Sequence, residues 1–236
     1  MILVTTDLHG YPLSDFKAML DAKDFTEDDY LFILGDVIDR NGDGGVEMLE
    51  WIMEQSNVQM LLGNHEAMML LCRFLFDEVR EDNLGEISRQ NLYACEHWLR
   101  NGASVTISSL KKVMKASRDR LDAIFDFVSE LPLYDTVECG GKDFLLVHGG
   151  LGGFRKDRPL DDYQPDEIVW HRPAGNERYF DDVYTLFGHT PVQYLGNHDG
   201  RPFRTETWMD IDAGCAGGDV KPYILDLEEF ARTGRI

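Results

Sequence analysis

The sequence is short of positive charge. It has 23 lysine and arginine residues against 43 aspartate and glutamate residues, a formal net charge of −20. Such a field repels nucleic acids and anionic membrane surfaces, so we expect neither as a partner. It also repels phosphorylated substrates at long range. A phosphate-binding site in this chain must therefore bring its own local positive charge.

Cysteines are few, and long apolar segments are missing. The 4 cysteines form no C-x-x-C pair, which argues against a disulfide framework and a structural zinc cluster. No run approaches the roughly 18 apolar residues of a membrane span. The amino terminus reaches Asp7 too soon for a signal peptide. These absences predict a cytoplasmic protein, and 236 residues are enough for one large domain.

The first third of the chain alternates between apolar runs and helical patterns. Predicted strands cover residues 2–6, 31–34 and 58–62, and predicted helices cover residues 13–20, 46–55 and 67–76. The short crossovers favour a parallel sheet. From about residue 77 to 130 the pattern is helical, with helices at 87–100 and 110–129. We interpret that stretch as an insertion covering one side of the sheet.

The second half is rich in strand patterns. Gly140 and Gly141 mark a hairpin turn. Predicted strands cover residues 133–139, 144–147, 183–187, 192–195, 203–205, 208–211 and 223–227. They predict a second, mostly antiparallel sheet. The expected fold class is α/β, with two packed mixed β-sheets forming a sandwich flanked by helices, in four layers. The whole of residues 1–236 is expected to form a single domain.

Polar side chains, most of them possible metal ligands, follow five of the predicted strands. They are Asp7 and His9, then Asp36, Asp39 and Arg40, then Asn64 and His65, then His148, and finally His189. Any one of them could instead be a turn residue, and Asn64 could cap the helix that follows it. Together they fit two cations that share a carboxylate, a pair that acidifies a bridging water and holds both oxygens of an in-line displacement. Asp, His and Asn suit manganese, iron or zinc.

Five short motifs carry a family resemblance. D-x-H-G begins at residue 7, G-D-x-x-D-R at 35, G-N-H-E at 63, H-G-G at 148 and G-H-T at 188. In order and spacing they resemble the calcineurin-like metallophosphoesterases. The arginine after Asp39 and the glutamate after His65 resemble the phosphoprotein-phosphatase branch, especially its small bacterial and phage serine/threonine phosphatases.

The resemblance implies two divalent metal ions, with manganese as the expected active metal and iron or zinc as alternatives. Asp7, His9 and Asp36 would hold the first ion, and Asp36, Asn64, His148 and His189 the second. His65 would protonate the leaving oxygen, oriented by Asp39. Arg40 would bind phosphate oxygens. A weaker match at Trp170-His171-Arg172 adds Arg172 to that role, which Arg155 or Arg178 could take instead.

The predicted function is that of a metal-dependent phosphoesterase. The favoured activity is that of a serine/threonine protein phosphatase, in which a hydroxide bridging the metals attacks a phosphomonoester directly. The alternative is a hydrolase of dinucleoside polyphosphates, such as diadenosine tetraphosphate, or of another small phosphoester. A non-catalytic binding module on the same fold is a third possibility. The substrate would be a phosphoprotein or a small phosphoester, and the sequence predicts no oligomeric state.

Some residues depart from the family pattern or imitate it. Thr6 and Asn41 stand where the family usually has glycine, and Leu62 stands where many eukaryotic members have arginine; these departures bear on substrate preference. Residues 196–200 repeat the letters G-N-H-D, but they come after the last motif, so we interpret them as a hairpin turn. His97 and His171 are interpreted as partly exposed residues without a site role.

Overall fold

The computed structural model describes residues 1–77 and 88–236. Residue 87, the predicted first residue of a helix, lies outside them. In chain order the elements are β1 (Ile2–Thr5), α1 (Leu13–Asp21), β2 (Tyr30–Ile33), α2 (Val46–Glu54), β3 (Val58–Met60), α3 (Asn64–Leu71), α4 (Arg89–Arg100), α5 (Ser104–Ala116), α6 (Arg118–Ser129), β4 (Tyr134–Cys139), β5 (Lys142–Val147), α7 (Pro165–Val169), β6 (Val183–Phe187), β7 (Phe203–Arg204), β8 (Trp208–Asp210), β9 (Leu225–Asp226) and α8 (Leu227–Thr233).

The strands form two mixed sheets, and the predicted fold class is confirmed. The first sheet has the order β3-β2-β1-β9, with β1, β2 and β3 parallel and β9 antiparallel to β1. The second sheet has the order β4-β5-β6-β8-β7. Its central pairs, β5 with β6 and β6 with β8, are parallel, so the expectation of a mostly antiparallel second sheet was wrong.

Alternation of side chains along the strands produces the layers. On β1, Leu3 packs with the helices while Val4 packs between the two sheets, and both are fully buried. On β5, Leu146 faces the first sheet, and Leu145 faces an outer layer that contains α7. Successive side chains on a strand point to opposite faces, so each central strand contributes to two apolar cores. This is how one short apolar run stabilises two interfaces.

The helices between β3 and β4 pack on the outer face of the first sheet. α4 contacts α3, α5 contacts α2, and α6 contacts both α2 and α3. Their buried side chains, including Trp98, Leu110 and Phe125, belong to the same apolar core as Leu3 of β1. The description of this segment as an insertion in one domain stays a prediction. No helix in the described ranges is long and apolar enough to span a bilayer.

Two predicted helices differ from the observed ones. The helix predicted over residues 110–129 is two helices, because Ser117 adopts an extended conformation and its hydroxyl caps α6 by accepting the Arg120 N–H. The helix predicted from residue 67 already begins at Asn64 and ends at Leu71, followed by a 3-10 turn at Arg73–Phe76. Asn64 is therefore a helical residue and does not cap the helix.

One predicted strand was wrong, and another was shorter than predicted and lies in the other sheet. Residues 192–195 form a 3-10 turn that follows Pro191 and ends at Gly196, whose φ of 92° is left-handed. The strand predicted over residues 223–227 shortens to Leu225–Asp226 and pairs with β1 in the first sheet, not in the second. Its last residue, Leu227, already starts α8, because the Asp226 side chain accepts the Glu229 N–H at 2.9 Å.

Candidate metal centre

The loops that follow five strands meet at one edge of the sandwich, and their backbone is strained there. Positive φ angles occur at Asp7, His9, Asp36, Asp39, Arg40 and His189. Among the described non-glycine residues one further case exists, Asp24. A left-handed conformation costs a non-glycine residue roughly 1–3 kcal/mol, and such residues cluster at functional sites. The strain therefore coincides with the residues that the sequence singled out.

One group of candidate ligands comes from the first sheet. The Nε2 atom of His9 lies 3.6 Å from Oδ1 of Asp7 and 3.7 Å from Oδ2 of Asp36. Among the described residues the compact group here is His9, Asp36 and His65, whose donor atoms lie within 4.8 Å of one another. Two atoms that bind one cation at about 2.1 Å lie roughly 3–3.5 Å apart, so Asp7, His9 and Asp36 would have to move closer together to bind one ion. All three side chains are buried. The donor set fits the first predicted metal ion.

A second group joins the two sheets. Nε2 of His148, which follows β5, lies 3.4 Å from Oδ1 of Asp36 and 3.0 Å from Oδ1 of Asn64. His189, which follows β6, completes a cluster with Asp36 and His148 whose donor atoms lie within 4.8 Å of one another. Asp36 thus belongs to both groups, one oxygen facing each. This is the arrangement of a carboxylate shared by two ions.

Hydrogen bonds fix the histidine rings for coordination. Nδ1 of His9 lies 3.1 Å from the Ile38 carbonyl, and Nδ1 of His148 lies 2.8 Å from the Leu34 carbonyl. A carbonyl only accepts, so each Nδ1 carries the hydrogen and each Nε2 is left with a lone pair in the neutral ring. Nε2 of His189 is buried without a hydrogen-bond partner among the described residues. An orphaned ring nitrogen beside two other donors fits a metal ligand.

Close backbone approach brings these loops together. Gly35 has a φ of 100°, and a Cβ placed on it would lie 2.6 Å from the Cα of Gly63 and 2.9 Å from Nδ1 of His148. Any side chain at residue 35 would therefore separate the loop after β2 from the loop after β3 and from β5. The glycine that precedes Asp36 is required by this contact.

Glu66 ties the same two loops together through its carboxylate. Its oxygens accept the backbone N–H groups of Asp36, Val37 and Gly63 at 2.9–3.1 Å, and of Ile38 at 3.2 Å. The side chain is fully buried. Burial and the neighbouring charge of Asp36 raise its pKa to about 7, although the backbone donors favour the charged form. The sequence marked Glu66 only as a family feature, and its role as a backbone acceptor was missed.

His65 and Asp39 form a buried pair next to the candidate ligands. Nδ1 of His65 lies 2.6 Å from Oδ2 of Asp39, and its Nε2 lies 3.8 Å from Oδ2 of Asp36. The same carboxylate of Asp39 accepts the indole N–H of Trp98 at 2.7 Å and the hydroxyl of Thr106 at 2.5 Å. Trp98 lies in the helix predicted over residues 87–100, and no local sequence signal connects Trp98 or Thr106 with Asp39.

A cavity of about 730 Å³ opens over the site. Arg40 is exposed on its wall, and Arg172 lines it while donating from Nη1 to the His189 carbonyl at 2.9 Å. Arg155 and Arg178, the possible substitutes for Arg172, do not line the cavity and pair with acidic residues elsewhere. The rim carries the half-buried Trp170 and Tyr194, which is 81% exposed.

The residues set aside by the sequence have contacts with residues other than the candidate ligands. Residues 196–200 form a turn before β7 rather than a hairpin between two strands, and Asn197 donates to the Arg201 carbonyl. His171 is half-buried, and its Nε2 lies 2.9 Å from Oε2 of Glu177. His97 is half-buried on α4 and packs edge-on against Trp170.

Asp212 is a further buried carboxylate that lines the cavity, and the sequence patterns did not indicate it.

The charges in the site predict how metal binding depends on pH. Burial lowers the pKa of both His9 and His148, but nearby carboxylates outweigh it, so the pKa of His9 rises to about 8 and that of His148 to about 9. Burial lowers the pKa of His189 to about 3, so that ring is neutral. A cation must therefore displace protons from His9 and His148, and its apparent affinity should fall about tenfold per pH unit for each displaced proton.

Calorimetric titration with manganese between pH 6.5 and 8.5 would check this, with proton release read from two buffers of different ionisation enthalpy. The raised pKa values of His9 and His148 stabilise the metal-free fold below about pH 6.5, and that contribution is lost as the pH rises through 8 to 9. The metal-induced rise in melting temperature should therefore grow with pH. An affinity that stays constant over this range would contradict the ligand assignment.

A layered α/β fold with His and Asp side chains gathered at its strand ends is an architecture suited to metal-dependent hydrolysis. The sequence model of the calcineurin-like phosphoesterases matches residues 1–222. The chain therefore belongs to the calcineurin-like phosphoesterase family, whose members bind two divalent metal ions.

A symmetrical bis(5'-nucleosyl)-tetraphosphatase of Wigglesworthia glossinidia brevipalpis is 35% identical over 112 residues, 46% of this chain and 40% of that protein. The match thus spans less than half of the relative's length. The crystal structure of a proposed diadenosine tetraphosphatase has a TM-score of 0.56 at 14% identity, covering 96% of this chain and 90% of that one. A serine/threonine phosphatase of Saccharomyces cerevisiae, similar to human phosphatase PP5, has a TM-score of 0.54 at 16% identity, covering 89% and 66%. At these identities the structures show a shared fold.

Proposed function

We propose that the chain hydrolyses phosphomonoesters, with a serine/threonine phosphoprotein as its substrate class. The observation that carries the proposal is the buried pair of His65 and Asp39, 2.6 Å apart. His65 lines the same cavity as both arginines and the candidate ligands Asp7, His9, Asp36, Asn64 and His189. Two divalent ions, when bound, would acidify a water and neutralise the negative charge of the phosphate.

Residues of the chain would bind the two ions, orient the phosphoryl group and supply a proton to the leaving oxygen. Asp7, His9 and Asp36 would hold one ion, and Asp36, Asn64, His148 and His189 the other. Arg40 and Arg172 would orient the phosphoryl group, since guanidinium groups bind phosphate oxygens in a defined geometry. His65, protonated on both nitrogens, would keep one N–H on Asp39 and give the Nε2 proton to the leaving oxygen as the phosphorus–oxygen bond breaks. A histidine in this position contributes general acid catalysis.

The count of cations favours a monoester over a long polyphosphate chain. Among the described residues that line the cavity, Arg40 and Arg172 are the permanently charged cations, while Asp7, Asp36 and Asp212 also line it. In a protein with a formal net charge of −20, two arginines match one phosphoryl group better than four linked phosphates.

Hydrolysis of a dinucleoside polyphosphate is the second candidate. It is favoured by the tetraphosphatase relative, and by the exposed ring of Tyr194 at the cavity rim, on which a nucleobase could stack. The two candidates share the metal centre and differ in what lies beyond the phosphate.

The test uses purified protein stripped of metal and titrated with manganese. Turnover of p-nitrophenyl phosphate should appear only with metal, and a phosphoserine peptide should then be hydrolysed faster than diadenosine tetraphosphate. The reverse order would move the assignment to the second candidate. Two bound metal ions without turnover of any of the three substrates would contradict both and leave a binding role.

A further inference from the structure

We propose that the corner between α4 and α5, residues 98–106, positions the catalytic machinery by holding Asp39 and Arg40. The proposal rests on the proposed roles of His65 and Arg40 and adds residues that no sequence motif marks. Trp98 comes from α4, Thr106 from α5 and Gly102 from the turn between them. All three belong to the helical segment and reach the site from outside the strand-end loops.

The carboxylate of Asp39 is held on both oxygens. Oδ2 lies 2.6 Å from Nδ1 of His65 and 2.7 Å from Nε1 of Trp98, and Oδ1 lies 2.5 Å from Oγ1 of Thr106. The Thr106 hydroxyl oxygen also accepts the backbone N–H of Asp39 at 3.1 Å. Asp39, Trp98 and Thr106 have no exposed surface. The corner therefore supplies two of the three side-chain donors to this carboxylate.

The backbone of the same dipeptide needs external support. Asp39 and Arg40 have φ angles of 77° and 71°, two successive left-handed residues that are not glycine. Such conformations persist only when the surrounding structure enforces them. The Arg40 N–H donates to the Gly102 carbonyl at 3.1 Å, and the Asp39 N–H is held by Thr106.

The turn also fits closely against the side chain of Arg40. Gly102 has a φ of 101°, and a Cβ placed on it would lie 2.8 Å from Cγ of Arg40. The turn thus contacts Arg40 directly while the flanking helices hold Asp39. One corner therefore supports both the partner of the acid and a proposed phosphate ligand.

The polar character of these contacts argues for a positioning role. An apolar pair would pack the same space without desolvating an indole N–H and a hydroxyl. Here the indole N–H of Trp98 and the hydroxyl of Thr106 both donate to the Asp39 carboxylate, which also accepts the hydrogen bond from His65. Donors on both oxygens stop the Asp39 carboxylate from rotating, which holds the His65 ring with Nε2 toward the cavity.

The reaction step gives a readout that packing alone would not change. Water adds its oxygen to phosphorus, the bond to the leaving oxygen breaks, and His65 supplies a proton to that oxygen, giving an alcohol and inorganic phosphate. p-Nitrophenolate is a weak base that leaves without a proton, whereas phenolate is a strong base that needs one. Loss of positioning should therefore slow the hydrolysis of phenyl phosphate more than the hydrolysis of p-nitrophenyl phosphate.

The test variants are Trp98→Phe and Thr106→Val, which remove one donor each and keep most of the shape. With manganese-loaded protein, kcat for phenyl phosphate should fall about tenfold, less than the roughly 100-fold or more expected when the acid itself is removed, because the acid is misplaced but still present. For p-nitrophenyl phosphate kcat should fall less than about twofold. KM and the number of bound metal ions should not change. Thr106→Ser keeps the hydroxyl and should restore the wild-type ratio of the two rates.

The second sheet offers matched controls. Trp208 is equally buried, and its indole N–H donates to the Glu177 carbonyl at 2.9 Å. Thr185 is also buried, and its hydroxyl has no hydrogen-bond partner among the described residues. Trp208→Phe and Thr185→Val should keep the wild-type ratio whatever they do to stability.

The proposal is overturned if kcat of the folded Trp98→Phe and Thr106→Val proteins falls equally for both substrates, or if it falls for neither. If Trp98→Phe does not fold, the comparison of Thr106→Val with Thr106→Ser decides the matter. Failure of the underlying function looks different, because wild-type protein with two manganese ions would then hydrolyse neither ester.

Discussion

Asp36→Asn is expected to remove bound metal and to lower phosphoester turnover by about a thousandfold or more, because one substitution weakens both proposed ion sites. One oxygen of Asp36 lies 3.7 Å from Nε2 of His9, and the other lies 3.4 Å from Nε2 of His148. An amide keeps one oxygen but loses the charge and the second donor.

The measurement combines elemental analysis of metal content with p-nitrophenyl phosphate turnover under saturating manganese. Asp210→Asn is the matched control. Asp210 is equally buried, its Oδ2 has no partner among the described residues, and burial together with Asp212 raises its pKa well above the usual value. Burial thus favours the uncharged form of Asp210, and its amide should keep both metal ions. Full activity in Asp36→Asn would refute the shared-carboxylate arrangement.

The second large effect is expected for His65→Asn. Turnover of phenyl phosphate should fall about 100- to 10,000-fold, the range that a general acid contributes. Turnover of p-nitrophenyl phosphate should fall less, since its leaving group needs no proton. Asp39→Asn should shift the two rates in the same direction, because the ring of His65 loses the acceptor that orients it.

Metal content separates this role from a second possibility. The donor atoms of His65, His9 and Asp36 lie within 4.8 Å of one another, so His65 could also bind a cation. A general acid leaves the number of bound ions unchanged when it is replaced, whereas a ligand does not. A His65→Asn protein that has lost one metal ion would therefore overturn the acid assignment.

The sequence was informative wherever function depends on short segments that follow strands. The strand ends that carry Asp7, Asp36 and Asn64 could be predicted because buried strands are continuous apolar runs and parallel strands end at one edge. The predicted bounds of β6 were also correct. Local pattern and local structure agree in these segments, so the pattern was sufficient.

One of the missed features is local, because Ser117 divides a helical pattern by accepting the Arg120 N–H and capping α6. The others depend on contacts between distant parts of the chain. The strand at Leu225 joins the first sheet because β1 has a free edge there. Trp98 and Thr106 hold Asp39 across 59 and 67 residues of chain. Periodicity describes which face of a helix is buried, but not which partner it meets.

The pairing of β9 with β1 has a consequence for the newly made protein. Leu3 and Val4 leave the ribosome long before their partners Asp226 and Leu225, because more than 200 residues of chain separate the two strands. While the chain is being synthesised, the edge of β1 is open and can pair with another chain, which is a known route to aggregation. Closing so long a loop is also slow, because the chain entropy is lost before the contacts form. We therefore expect the yield of native protein in cells to depend on how this edge is shielded during translation, and slower synthesis to lengthen that exposure.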